Sequence, residues 1–188
     1  MVQSLGIKIV DYNPQWESQF LNLESIFLKY LGNKILKVEH VGSTSIPGLK
    51  SKPVIDIDIV IKDSDVLERK VIKELEKLGY KHIGDLGISG REAFKLLESE
   101  IYKYPKHNLY VCREGSIGLK NHLLFRDYLI ENPEKVEEYG NLKLELARNF
   151  PNDIDTYCSG KTEFITKILI SYGMNKNDVK LIRDENKI

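Results

Sequence analysis

Asp56 and Asp58 stand two apart in the segment VIDIDIVI, residues 54–61, and a Gly42-Ser43 pair precedes them. The segment is β-branched and alternating, so it predicts a strand, and side chains two apart on a strand share one face. The two carboxylates therefore stand side by side. Like charges held that close repel unless water or a cation offsets them. A Mg²⁺ or Mn²⁺ ion held by one or two carboxylates and by a substrate's phosphates would do so. The Gly-Ser pair offers close backbone approach and N–H donors, which a phosphate requires. The pattern reads as a phosphate-handling, metal-dependent site. Asp56 and Asp58 are its metal and catalytic carboxylates, and Gly42, Ser43, Thr44 and Ser45 are its phosphate loop.

The loop 42–52, GSTSIPGLKSK, is not a P-loop. Pro47 holds the second glycine position, and Leu49 separates Gly48 from Lys50. Alone it is a polar loop; with the acidic pair downstream it reads as a different phosphate loop. Lys52, Arg91 and Lys161 are candidate countercharges for a substrate's phosphates, although each taken alone reads as a solvated charge. His40 closes the first core strand and His107 opens a later one. Both are further candidates, His107 if its strand neighbours the acidic pair. His82 and His122 read as surface or packing positions. Spacing assembles no four-ligand zinc set and no Ser-His-Asp or Cys-His arrangement.

These residues need a scaffold. Residues 7–10 predict a short strand or extended lead-in. Asn13-Pro14 starts a helix whose apolar face is Trp16, Phe20, Leu23, Phe27 and Leu31, and Gly32 stops it. Strands are predicted over 35–41 and 54–61. In the second, Ile55, Ile57, Ile59 and Ile61 form a wholly apolar face, while Val54 and Val60 flank the aspartates on the other. A helix over 65–78 turns Val66, Leu67, Val71, Leu75 and Leu78 inward. Strands follow at 80–83, 91–97 and 107–112, with a glycine-rich connection over 84–90. Helices are predicted over 119–131, 133–149 and about 156–172, and the polar tail from 175 is frayed or loosely helical. This is a mixed β-sheet flanked by helices, of the α+β or α/β class.

The chain has 188 residues, 41% hydrophobic and 30% charged, which predicts one globular domain: a sheet core over about 1–115, a helical part over about 116–173 and a polar tail over 174–188. Lys+Arg and Asp+Glu number 28 each, so no basic excess supports a nucleic-acid binder. Cys112 and Cys158 lie far apart and match no zinc spacing, which suits a reduced cytoplasmic chain better than a disulfide. No apolar run is long enough to span a membrane. Residues 1–6 lack the regions of a signal peptide.

The residues resemble the GrpB (UPF0157) family, which has the nucleotidyltransferase fold. The matching segments are IVDYNPQWESQF at 9–20, VEHVGSTSIPGLKSKPVIDIDIVI at 38–61, HNLYV at 107–111, HLLFRDYL at 122–129, PEKVEEYGNLKLELA at 133–147 and GKTEFI at 160–165. They run in family order over nearly the whole chain, and the block at 38–61 is the specific one. The resemblance implies that the two aspartates bind metal and that the Gly-Ser turn binds a nucleotide's phosphates. Related sequences occur fused to dephospho-CoA kinase. One departure is visible: the family commonly shows HNLHV, and here Tyr110 replaces the second histidine.

Two functions of different class follow. The first is a Mg²⁺-dependent nucleotidyltransferase that moves a nucleoside monophosphate from a nucleoside triphosphate to an acceptor. The second is a non-catalytic module that binds a nucleotide or other phosphorylated small molecule. Tyr110 and the want of an evident third carboxylate favour the second. An acidic ligand close to Asp56 and Asp58 in space discriminates between them.

Overall fold

Helix α1 (Gln15–Leu31) buries Trp16, Phe20, Leu23, Phe27 and Leu31, the stripe that the sequence periodicity predicts. Asn13 Oδ1 accepts from the Gln15 N–H at 3.0 Å and so caps it from one position before the proline. In the computed structural model, which describes residues 6–185, five strands form one sheet. They are β1 (Lys37–Val41), β2 (Ile55–Ile61), β3 (Tyr80–Gly84), β4 (Arg91–Leu96) and β5 (His107–Arg113), in the order β1-β2-β5-β4-β3. Only β2 and β5 pair in parallel; the other neighbours are antiparallel. The lead-in is a single bridge, Val10 to Ser51.

Between β2 and β3 runs α2 (Asp65–Lys77), capped by Ser64 Oγ on the Leu67 N–H. Its buried residues are Val71 and Leu75; Val66, expected inside, is 54% exposed. Ile55, Ile57, Ile59 and Ile61 pack with Phe20, Leu23 and Phe27 of α1 and with Val71 and Leu75, so the apolar face of β2 is covered by α1 and α2 as expected.

The other face carries the aspartates. Over it lies a helical part: α3 (Ile117–Glu131), α4 (Pro133–Asn149), α5 (Ile154–Ser159), α6 (Thr162–Ser171) and α7 (Lys176–Glu185). One expectation changes here and another is decided. The helix predicted over about 156–172 is broken between Ser159 and Thr162. A Cβ on Gly160 would stand 2.5 Å from Leu146 Cδ2, so the chain turns tight against α4 at this point. Of the two alternatives for the tail, frayed or loosely helical, the structure shows a formed helix, whose Val179 and Ile182 bury themselves beside Leu169 and Met174. The residues 1–5, on which most of the signal-peptide reading rests, and 186–188 lie outside the described part. Among the described residues no helix is long and apolar enough to cross a membrane, and both cysteines are free thiols.

Candidate functional site

Strand pairing builds the site floor. Val41 pairs with Asp56 across β1 and β2, and Asp56 pairs with Asn108, Asp58 with Tyr110, across β2 and β5. Asp56, Asp58, Asn108, Tyr110 and Cys112 therefore share one face. The chain leaves β1 through Gly42, whose φ is +69°, a conformation that favours glycine. A Cβ there would stand 2.2 Å from Asp56 Oδ2, so only glycine lets the turn lie against that carboxylate. Ser43 to Ser45 then form one turn of 3₁₀-helix.

The residues of the expected phosphate loop divide. Ser43 lines the cavity with Asp56. Ser45 Oγ donates to the Gly42 carbonyl at 2.6 Å, and Thr44 Oγ1 bonds His40 Nε2 at 3.0 Å, so both hold the turn's shape. His40 stacks on Phe20 and is neutral: burial, then the Arg126 charge, depress its pKa to about 4. His107 lies on the opposite face of the sheet, bonded to the Tyr80 hydroxyl and the Pro105 carbonyl, and its burial lowers its pKa. Neither histidine meets the aspartates.

The aspartates are not equivalent. Asp56 lines the cavity, and its Oδ1 accepts from Asn108 Nδ2 at 2.7 Å. Burial raises its pKa, and the charge of Asp58 adds to the rise. Asp58 is 0% exposed. Its Oδ2 accepts from His122 Nδ1 at 2.7 Å, while its buried Oδ1 has no hydrogen-bond partner. His122, read from sequence as a surface or packing residue, is thus part of the site. Burial alone would depress its pKa, but the charge and hydrogen bond of Asp58 outweigh that and raise it.

A third carboxylate does stand nearby: Glu39. Glu39 pairs directly with Asp58 across β1 and β2. Arg126 Nη1 donates to its Oε2 at 2.6 Å and Lys37 pairs with its Oε1 at 2.5 Å, so its charge is already matched. Burial opposes ionisation, yet these two bonds hold its pKa below the usual value. Glu92 bonds His82 at 2.6 Å, away from the aspartates.

Two joined spaces open onto Asp56. The larger, of 330 Å³, is lined by Gly42, Ser43, Arg91, Tyr110 and His122 among others. The smaller, of 250 Å³, is lined by Lys52, Asn108, Lys143 and Tyr157. Ser43, Asp56, Tyr110, Cys158 and Lys161 line both. Lys161 and Lys52 place their ammonium groups 4.6 and 5.4 Å from the centre of the Tyr157 ring. Lys143 is 2% exposed, 4.7 Å from the centre of the Tyr139 ring and 3.4 Å from Ser51 Oγ. Burial first, then the charges of Lys161 and Lys52, bring its pKa down to about 6. Burial likewise lowers Lys161. Three lysines close together, none of them ion-paired to a carboxylate among the described residues, form a ready site for a multiply charged anion, whose charge would favour the protonated form of Lys143.

No group of three or more His, Cys, Asp or Glu side chains among the described residues is placed to enclose a metal ion. Of the expected pair only Asp56 lines the cavity; Asp58 is buried beneath it, and its orphaned Oδ1 on the same strand face would suit a divalent cation that brings further oxygens with it. Mg²⁺ is commonly held this way, by one or two carboxylates, waters and phosphates.

Residues 6–170 match the family described as GrpB protein. The chain is 35% identical over 166 residues to UPF0157 protein BH1888 of Halalkalibacterium halodurans, covering 87% of this chain and 81% of that one. It is 32% identical over 159 residues to UPF0157 protein YqkA of Bacillus subtilis, covering 85% of this chain but 45% of YqkA. It is 24% identical to the dephospho-CoA kinase of Mycolicibacterium paratuberculosis over 82% of this chain and 43% of that protein. Among solved structures, the conserved protein GrpB from Enterococcus faecalis superposes with a TM-score of 0.76 at 33% identity, over 88% of this chain and 96% of that one. The GLD-2/RNP-8 complex matches at 0.55 and 14% identity, over 85% of this chain and 61% of that one. The MgGTP-bound Cid1 poly(U) polymerase matches at 0.50 and 14%, over 74% and 44%. At such identities the likeness concerns the fold, which is nucleotidyltransferase-like.

Proposed function

We propose that this chain, which belongs to the GrpB family, is a metal-dependent nucleotidyltransferase acting on a nucleoside triphosphate. One observation carries the reading: Ser43, Asp56 and Lys161 line one cavity, with Lys52 and Lys143 beside them. The lysines and Ser43 would hold the β- and γ-phosphates, which places the α-phosphorus toward Asp56. Asp56 and Asp58 would hold the cation, which supplies neutralisation of phosphate charge when bound. An acceptor hydroxyl oxygen bonds to the α-phosphorus, the bond to the bridging oxygen of the β-phosphate breaks, and pyrophosphate leaves. The hydroxyl proton passes to water in the open cavity. The Cid1 poly(U) polymerase, whose fold this chain shares, was solved with MgGTP bound, which is in keeping with this chemistry.

A second reading has its own observation. Asp58 is already bonded to His122 and Glu39 to Arg126, so among the described residues no third free carboxylate lines the cavity. That suits a module which binds the nucleotide without turning it over. Both readings predict metal-assisted binding. Calorimetric titration with a non-hydrolysable nucleoside triphosphate and Mg²⁺ or Mn²⁺ tests it. Asp56→Asn should weaken binding at least tenfold at unchanged or slightly raised melting temperature, because one of two repelling charges is gone. Equal affinity with and without metal, in both proteins, would refute the site.

A further inference from the structure

The cavity has cationic groups toward two ends, with Lys161 lining both spaces. Lys52 and Lys143 line the smaller space without Arg91; Arg91 and His122 line the larger one without those two lysines. Arg91 is half-buried on β4, and its guanidinium lies 4.7 Å from the centre of the Tyr110 ring. It makes no ion pair among the described residues, and its Nε is buried without a partner. The other arginines withdrawn from solvent are all matched: Arg113 by Asp63, Asp65 and Glu68, Arg126 by Glu39 and Asp127, Arg183 by Glu163. Leaving a guanidinium half-buried and unmatched is costly, and a bound oxyanion removes the cost.

We propose that Arg91, with Asn121 and His122 beside it, forms a second anion subsite that holds a phosphate or carboxylate of the acceptor. The second substrate is then a small hydroxyl-bearing phosphate ester or organic acid, and not a neutral alcohol. This rests on the reading that the lysine end takes the triphosphate. The Tyr110 ring supports the guanidinium from 4.7 Å, and the guanidinium fork matches either anion in two parallel hydrogen bonds. Tyr110 lines both spaces and so stands at the junction of the two ends. A space of 330 Å³ suits a small molecule.

The test follows the Arg91 Nε–Hε resonance of the full chain by ¹⁵N NMR, assigned by its loss in Arg91→Gln. The probes are glycerol 3-phosphate, glycerate, glycerol and inorganic pyrophosphate with Mg²⁺. Glycerol 3-phosphate or glycerate should shift the resonance saturably while glycerol does not, and the stronger of the two identifies an ester or an acid. Arg91→Gln should weaken that anion at least tenfold, and Arg91→Lys, which keeps the charge without the fork, should recover part of the loss. Lys143→Met should instead weaken pyrophosphate. The proposal falls if neither anion shifts the resonance, if glycerol binds as well as they do, or if Arg91→Gln weakens pyrophosphate as much as Lys143→Met does. Failure of pyrophosphate to bind the unaltered chain would strike the triphosphate reading, and the glycerol 3-phosphate and glycerate arms would still decide the fate of the Arg91 subsite.

Discussion

At the scale of single residues, Lys143 shows what the cavity costs the fold. Its pKa of about 6 lies far below the ordinary 10.5, because burial and two neighbouring lysines oppose its charge. Between those pH values the unfolded chain holds a proton that the folded chain lacks. Stability therefore rises with pH across that window, and the contribution levels off below pH 6. Lys143→Met should remove this dependence and raise the melting temperature near pH 7 by about 3 °C, roughly 1 kcal/mol for a chain of this size. Melting curves from pH 6 to 9 check both; a parallel pH dependence in the two proteins would contradict it. Gly42 sits at the other wall. Gly42→Ala places a Cβ 2.2 Å from Asp56 Oδ2 at a φ of +69°. It should cost about 1–3 kcal/mol in backbone strain and displace Asp56, so denaturant titration and metal-assisted nucleotide binding should both worsen.

At the scale of elements, the aspartate pair and the glycine turn were legible because strand alternation has period two and leaves no choice of face. The helices were harder to read. His122 stands three residues from both Leu119 and Phe125, which are buried, so the stripe already pointed it inward. Lys143 likewise stands four residues from both Tyr139 and Ala147 in α4, but its charge disguised it as a solvated position. The break after Ser159 was hidden because the residues on either side of Gly160 continue to read as helix, and the close approach of Gly160 to Leu146 is a long-range contact. Glu39 and Arg126 could not be matched without the placement of α3 over β1. The tail's composition did not decide between fraying and helix: α7 is polar overall, yet Val179 and Ile182, three apart, suffice to dock it. Ile182 also lines the cavity. Ile182→Ala should therefore destabilise the chain by about 2–4 kcal/mol, measured by denaturant unfolding. A change below about 0.5 kcal/mol would show that α7 does not belong to the core.

At the scale of the whole molecule, a formal net charge of zero conceals a sorted distribution. Carboxylates occupy the sheet face at β1 and β2, lysines approach them from the turn before β2 and from the helical part, and the cavity lies where the two meet. The site needs both layers: the sheet brings the carboxylates and Arg91, the turn before β2 brings Lys52, and the helical part brings Lys143 and Lys161. An anion that carries its own divalent metal satisfies both at once, which is the central claim. The most direct measurement is a crystal structure with a non-hydrolysable nucleoside triphosphate and Mn²⁺. The account predicts anomalous density for Mn²⁺ beside Asp56 and the orphaned Asp58 Oδ1, with the terminal phosphates against Ser43, Lys143 and Lys161. Phosphates bound away from the lysines, or a cavity that takes the nucleotide with no metal at the aspartates, would contradict it.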